Sequence, residues 1–485
     1  MFLKAHLLSS QVFLLSTATM RVSRGKHDAN IQSHIVQNEV PSKILDVYVC
    51  GNNNDGELGL GDLTKKAEIP RLVLNTKLDA ESVGVVQVSA GGIHSVALTR
   101  NNLIMTWGVN DEGALGRITR KMQDNDDTQD EHEEESGEDD VDINVDEATP
   151  SPVDPSHFPK GTVFVQVMAT NSATFALTRD GLVYGWGTFR GDNGRIGWSP
   201  ENKDCQQTPV LVPGLTGITK LAAGGQHVLA LTSTGAVFSW GCNDQHQLVQ
   251  HLLPSRCALP LGITDIGAGT YHSFAILKGG FVFSWGSNNF GQTGIATNAG
   301  QNNALIEYPT RASSLQTFGK IVLIDGGKDH SIAITEAGHC LAWGRIENKA
   351  LGIETERMFP WDIIHDDRGR PRILKKPHHV DGISGRVIHA ATGSDHSIAI
   401  TELGHAYTWG FNSLHQTGHT GAEEILRPTI VRSKDIDTKT LVSASTGGQF
   451  TIVVGDHAGT KWYLQQQDQT ETCPQHNPET KSITV

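Results

Sequence analysis

Aromatic residues are scarce in this sequence, at 6%, and no apolar run is long enough to span a membrane. The cysteines at 50, 205, 242, 257, 340 and 473 form no CxxC pair and no metal-ligand spacing. They read as free, mostly buried thiols in a reducing compartment. No phosphate-binding Gly loop or catalytic-triad spacing is present, so an enzyme with chemistry of its own has little support. Acids are absent before Asp28, where Lys4, Arg21, Arg24 and Lys26 give the N-terminus the composition of a weak signal or transit peptide. No small-residue cleavage site stands out there, Ser9, Ser10 and Gln11 break the apolar stretch, and Met20 is an alternative start. No dense Lys/Arg cluster offers an obvious import signal.

Bases are also absent from 124–147, where fourteen residues are Asp or Glu. The whole chain has a net charge of −14, with 53 acids against 39 bases, so without this stretch the rest is balanced. The balance gives no general electrostatic case for gripping nucleic acid. The run itself reads as a solvated, disordered loop, with a basic partner as the competing reading.

What the chain has in plenty is glycine, 52 in 485 residues, which suits short strands and tight turns. Six segments share one pattern and end in Trp-Gly: 90–108, 169–187, 223–241, 268–286, 326–344 and 392–410. Each reads as a β-hairpin: a two-faced strand such as "HSVALT", a turn, then a strand such as "LVYGW". The turn holds Gly181, Gly235, Gly280, Gly338 or Gly404, with Asn102 in the remaining copy; Gly and Asn tolerate positive φ. A further turn rich in Asn, Asp and Gly follows, such as "NDEGALG" (110–116).

Two half-copies remain, "VYVCG" (47–51) and "TGGQFTIVVGDHAG" (446–459). They combine into one split copy, counted here as the first. Copies recur every 45 to 79 residues, close to the spacing of four-stranded blades. The predicted fold is all-β: a seven-bladed β-propeller over 45–459, closed by N- and C-terminal strands sharing one blade. The predicted tails are 1–44, disordered, and 460–485, with an acidic disordered insertion at 122–150 and a basic one at 354–380.

The pattern G-x-x-H-S-x-A-[LI]-T, G-x-V-[YF]-x-W-G, N-x-x-G-x-[LT]-G resembles the regulator-of-chromosome-condensation family. The likeness is nearest to its fungal exchange factors for the nuclear GTPase Ran, through "WGTFR" in the third copy, the acidic insertion before it and the insertion in the sixth. The resemblance implies a nuclear guanine-nucleotide exchange factor with a Ran-type partner, no cofactor, no metal and no small-molecule substrate. It also implies that the third copy's turn, twelve residues (186–197) where other copies have ten, is a wedge pressed against the GTPase. That wedge comprises Thr188, Phe189, Arg190, Gly191, Asp192, Asn193 and Gly194, followed by Arg195. Phe189 suits apolar anchorage, Arg190 and Asp192 directional contacts, and Gly191 and Gly194 a sharp reversal. Read without the family, the two extra residues are better taken as a neutral insertion, since loops tolerate these well.

The resemblance places the rest of the contact face just before the recurring His. Here the chain departs from the family: Asn171 and Gln226 stand where Asp is usual, and Asp329 where His is usual. Asn and Gln bond but do not pair as ions, so an exchange-inactive scaffold of the same fold is the rival reading.

The recurring histidines 94, 227, 272, 330 and 396 occupy equivalent points of successive blades, which spreads them apart. They read as hydrogen-bonding parts of the turn, not as metal ligands. Around Trp361, the segment 356–379 carries Arg368, Arg370, Arg372, Lys375 and Lys376. It fits a phosphate or chromatin contact or a packed loop with a basic rim. Family members that dock on nucleosomes use a longer loop near 246–262 and a basic N-terminal tail, both weak here. His246, Lys349 and His415 replace a mid-turn Gly. A non-Gly residue in left-handed geometry costs on the order of 1 kcal/mol, so these turns are expected to relax into other shapes.

Overall fold

In a computed structural model of the chain, residues 36–120, 143–244 and 252–460 are described. The N-terminal stretch, most of the acidic run, His246, Cys473 and the tail after 460 lie outside them.

Each repeat becomes one antiparallel sheet, and seven such sheets make a propeller. Blade 2 is typical: Val85–Ala90 lies innermost, then His94–Thr99, Ile104–Gly108 and Ser151–Pro152 outermost. Blades 3, 4, 5 and 7 repeat this order from Phe164–Ala169, Ile218–Ala223, Ile263–Ala268 and Val387–Thr392. Blade 6 starts at Ile321–Gly326 and carries a fifth strand, because its basic insertion folds back as Ile363–His365 against Pro371–His379.

Blade 1 is the shared one. Lys439–Thr446 and Phe450–Thr460 are its inner strands, and Leu45–Asn52 and Glu68–Leu74 its outer ones. The two chain ends meet in a continuous register from Leu45 opposite Asp456 to Gly51 opposite Phe450. His457 strengthens the junction: its Nδ1 lies 2.7 Å from Asp46, its Nε2 3.3 Å from Glu81, and Lys439 Nζ lies 2.8 Å from Asp46.

The tight turns behave as their residues require, with positive φ at Asn102, Gly181, Gly235, Gly280, Gly338 and Gly404. The expectation that Lys349 and His415 relax is corrected: both stay left-handed, at φ 57° and 60°. Their turns must keep that shape because each ends in a glycine lodged against a neighbour. After Lys349 that glycine is Gly352, where a Cβ would meet the indole of Trp409 at 2.7 Å.

That contact recurs. The third-strand tryptophans 107, 186, 343 and 409 are buried, and each donates its indole N–H to a carbonyl in the preceding blade's turn at 2.8–2.9 Å. The histidines also act between blades, not within their own turn as the sequence suggested. Nε2 of His94, His227, His272, His330 and His396 meets a hydroxyl of the next blade: Thr174, Ser273, Ser331, Ser397 and Thr451, at 2.7–3.0 Å. Burial pushes these histidines down to about 3 (His227, His272) or about 4 (His94, His330, His396), so all are neutral near pH 7.

The predicted tail 1–44 and acidic insertion shorten where residues are described. Asn38 donates its side-chain N–H to the carbonyls of Thr178 and Ile218, fastening the segment before blade 1 to blades 3 and 4. Val145–Ala148 forms one helical turn, and Arg117 binds the Asp146 and Thr149 carbonyls beside it. Among the described residues the cysteines are free, no His/Cys/Asp/Glu group could hold a metal, and no helix is long and apolar enough to cross a membrane.

Candidate partner-binding face

The loops joining first to second and third to fourth strands share one face of the ring. The twelve-residue stretch of blade 3 lies there as a separate two-stranded hairpin, Phe189–Gly191 paired with Gly194–Gly197. It belongs to no blade sheet. Gly191 and Gly194 flank its tip, Asp192 and Asn193 are exposed, and a Cβ at Gly194 would enter open space.

The root is aromatic. Phe189 is fully buried, stacked 6.0 Å from Trp198 and 6.2 Å from Phe175, and Phe175 meets Trp240 of blade 4 edge-on at 5.6 Å. This corrects one expectation: Phe189 is not an apolar contact offered to a partner. A ring too large to leave in water at the hairpin's base instead fills the gap between blades 3 and 4. Thr188 is buried as well.

The same packing explains an irregularity of the repeat. Blade 3 has Ala173 where five blades have the bridging His and blade 1 has Phe450, and blade 4 has Val228 where the hydroxyl partner of a blade 3 His would be. Ala173, Val228, Phe189 and Trp240 share one apolar cluster. At this junction the hairpin root replaces the polar bridge.

Above the root, charges hold the hairpin from both sides. Arg190 Nη1 lies 2.5 Å from Glu112 of blade 2, and Arg195 Nε lies 2.8 Å from the other oxygen of that carboxylate. Arg195 also pairs with Asp204. These partners hold the Arg195 guanidinium above its ordinary value, the Glu112 hydrogen bond foremost. On the blade 4 side, the Arg190 N–H donates to Gln226 at 2.9 Å and the Asp192 N–H to Asp244 at 2.8 Å.

The three face residues singled out from the sequence fare differently. Asn171 is exposed on its loop, with its backbone N–H bonded to the Gly225 carbonyl of blade 4 at 2.8 Å. Gln226 is committed at both ends of its amide, to the hairpin and to Ser172 at 3.0 Å. Asp329 is buried beside Arg345 at 3.3 Å. Burial raises its carboxyl, and Arg345 opposes that rise. The ring therefore joins Gln226 to the hairpin and sets Asp329 apart, on blade 6. Sequence reading missed Glu112, Trp198, Asp204 and Asp244. Glu112 looked like an ordinary turn residue of "NDEG"; the only available signal was an acid on the same face one copy before two arginines.

A channel of about 800 Å³ runs along the innermost strands, with Arg190, Glu112 and Asn171 in its lining. Side chains on those strands bridge neighbouring blades. Gln87 accepts from the Val167 N–H at 2.8 Å, and Gln166 both accepts from and donates to Leu221 at 2.9 Å.

Comparison with known proteins agrees with this architecture. The RCC1-like domain matches residues 46–453. Protein pim1 of Schizosaccharomyces pombe is 36% identical over 429 residues, covering 86% of this chain and 76% of that protein. Guanine nucleotide exchange factor SRM1 of Saccharomyces cerevisiae is 31% identical over 451 residues, covering 90% and 92%. The crystal structure of Prp20p from Saccharomyces cerevisiae, described with its binding to Gsp1p and histones, superposes with a TM-score of 0.78 at 29% identity, covering 90% and 97%. Domain match, relatives and superposition, together with the seven blades and their shared closure, make this chain a member of the RCC1-like domain family.

Proposed function

We propose that the protein is a guanine-nucleotide exchange factor for a Ran-type GTPase, working in the nucleus. The observation that carries this reading is the hairpin 189–197, an element outside every blade, rooted by Phe189 and held by Glu112, Gln226 and Asp244. It gives the family's binding face a protrusion whose tip, Asp192 and Asn193, is exposed and whose half-exposed Arg190, paired with Glu112, lies beside that tip. Exchange makes and breaks no covalent bond. The propeller binds the nucleotide-free GTPase more tightly than the loaded one, and linkage weakens nucleotide binding by the same factor. A thousand-fold weakening needs roughly 4 kcal/mol of differential contact. GTP then displaces the propeller by mass action.

The rival is a scaffold of the same fold that binds partners without exchange. The commitment of Gln226 to the hairpin and of Asp329 to Arg345 favours it, since neither is free for a partner's cation. Histone binding, described for Prp20p, is the second interaction to test here. In the basic insertion, Arg370 is paired with Asp366 and Lys376 with Asp362, while Arg372 lies over the Phe290 ring, so part of its positive charge is already neutralised. The deciding experiment follows release of a fluorescent GDP analogue from a Ran-type GTPase, with wild-type protein and the Arg190→Ala and Asp192→Ala variants. Acceleration weakened by both variants supports exchange through the hairpin. Binding without acceleration supports the scaffold.

A further inference from the structure

The register of the hairpin sets Arg190 directly opposite Arg195. Like charges facing each other across a ribbon destabilise it, and a lone two-stranded ribbon is marginal to begin with. Glu112 resolves the conflict. One carboxylate oxygen takes Arg190, the other takes Arg195, and the side chain is only 15% exposed. The contact is thus better shielded from solvent than an ordinary surface ion pair. The carboxylate comes from the turn after Ile104–Gly108 of blade 2, whereas Gln226 and Asp244 come from blade 4 and accept only backbone N–H groups from the hairpin. Glu112 is therefore the only group among these that neutralises both cations and fixes the hairpin's lean toward one side of the face.

We propose that Glu112 is a positioning residue for exchange: shared between Arg190 and Arg195, it aims the hairpin at the GTPase. The assignment rests on the exchange reading above. Without it, Arg195 keeps Asp204, but Arg190 is left facing a like charge, and the ribbon splays while its aromatic root stays seated.

The test uses the full chain as wild type, Glu112→Gln, Arg195→Gln and the double variant, with two measurements on each. Hydrogen–deuterium exchange of the peptide spanning 186–198 reports hairpin order without reference to activity. Nucleotide release at increasing concentrations of a Ran-type GTPase separates kcat from KM. Glu112→Gln should speed deuterium uptake in that peptide about ten-fold. It should lower kcat about ten-fold with KM within about two-fold, because orientation rather than docking is lost. The melting temperature should stay within about 1 °C, because the hairpin belongs to no blade sheet and its aromatic root stays packed. Adding Arg195→Gln removes the repulsion and should recover most of both losses, a coupling that a purely structural role would not produce. Unchanged uptake or unchanged kcat in Glu112→Gln overturns the proposal, as does a double variant no better than the single one. Wild-type protein that releases no nucleotide overturns the exchange reading and this role with it; an active wild type with an unaffected Glu112→Gln overturns only the role of Glu112.

Discussion

Truncating Phe189 to alanine separates the root from the tip of the hairpin. The ring is fully buried, stacked against both Trp198 and Phe175, and shares an apolar cluster with Trp240. Emptying such a site costs roughly 3–5 kcal/mol, the transfer of the ring plus the cavity it leaves. Unfolding entropy is about 2.1 cal/mol/K per residue, so a ring of roughly 400 residues loses about 1.2 °C of Tm per kcal/mol. Phe189→Ala should therefore melt about 4–6 °C below wild type. Arg190→Ala breaks one partly exposed ion pair worth about 0–1 kcal/mol and should move Tm by roughly 1 °C at most. Scanning calorimetry of the two variants under one buffer gives the comparison. A partner-facing phenylalanine would give the opposite order, with Phe189→Ala near wild type. A Tm shift below about 1 °C for Phe189→Ala would refute the root assignment.

Lowering the pH should destabilise the ring through its inter-blade histidines. Their folded values of about 3 to 4 lie below the unfolded value near 6.5. The unfolded chain thus takes up protons first as pH falls, and stability drops between about 6.5 and 4. Urea midpoints at pH 7.5 and 5 should differ clearly, and His272→Gln should flatten the difference. At the shared blade the sign reverses for His457, whose value is raised, its bond to Asp46 foremost. Its contribution is complete below about 6.5 and is lost as pH rises through the raised folded value. The Tm gap between wild type and His457→Gln should be wider at pH 6 than at pH 9. Asp46 adds nothing in that window: burial raises its carboxyl, but Lys439 and His457 outweigh burial and leave it lowered. Replacing the left-handed Lys349 by glycine should stabilise the protein by up to about 1 kcal/mol in urea unfolding.

The ring and its closure were legible because repetition states them many times over: each Trp-Gly ending marks a blade, and two half-copies can only complete each other. Relations between copies were harder to read. His272 bonds to Ser331, a residue that in its own copy looks like an ordinary strand position. Lys349 looked free to relax, because nothing in its own turn announces that Gly352 is lodged against Trp409. The hairpin could be found by its length, but not the direction of Phe189. That depends on Trp198 and Phe175 stacking over it, and spacing carries no information about which way an aromatic ring in an inserted turn will face. Glu112 was hidden for the same reason, since a cross-blade ion pair joins residues 78 and 83 positions apart.

The division of the first blade between the two ends sets a condition on how this protein is made. Strands Leu45–Asn52 and Glu68–Leu74 leave the ribosome long before Phe450–Thr460, against which the first of them must zip. At about 5–20 residues per second, roughly 400 intervening residues keep that edge waiting about 20–80 s. Throughout translation it is an open strand edge, able to pair with the wrong chain. A premature stop codon anywhere before Lys439 would leave it open permanently, so even a late nonsense mutation would yield an unfastened ring prone to aggregate and fit for degradation, instead of a slightly shortened working protein.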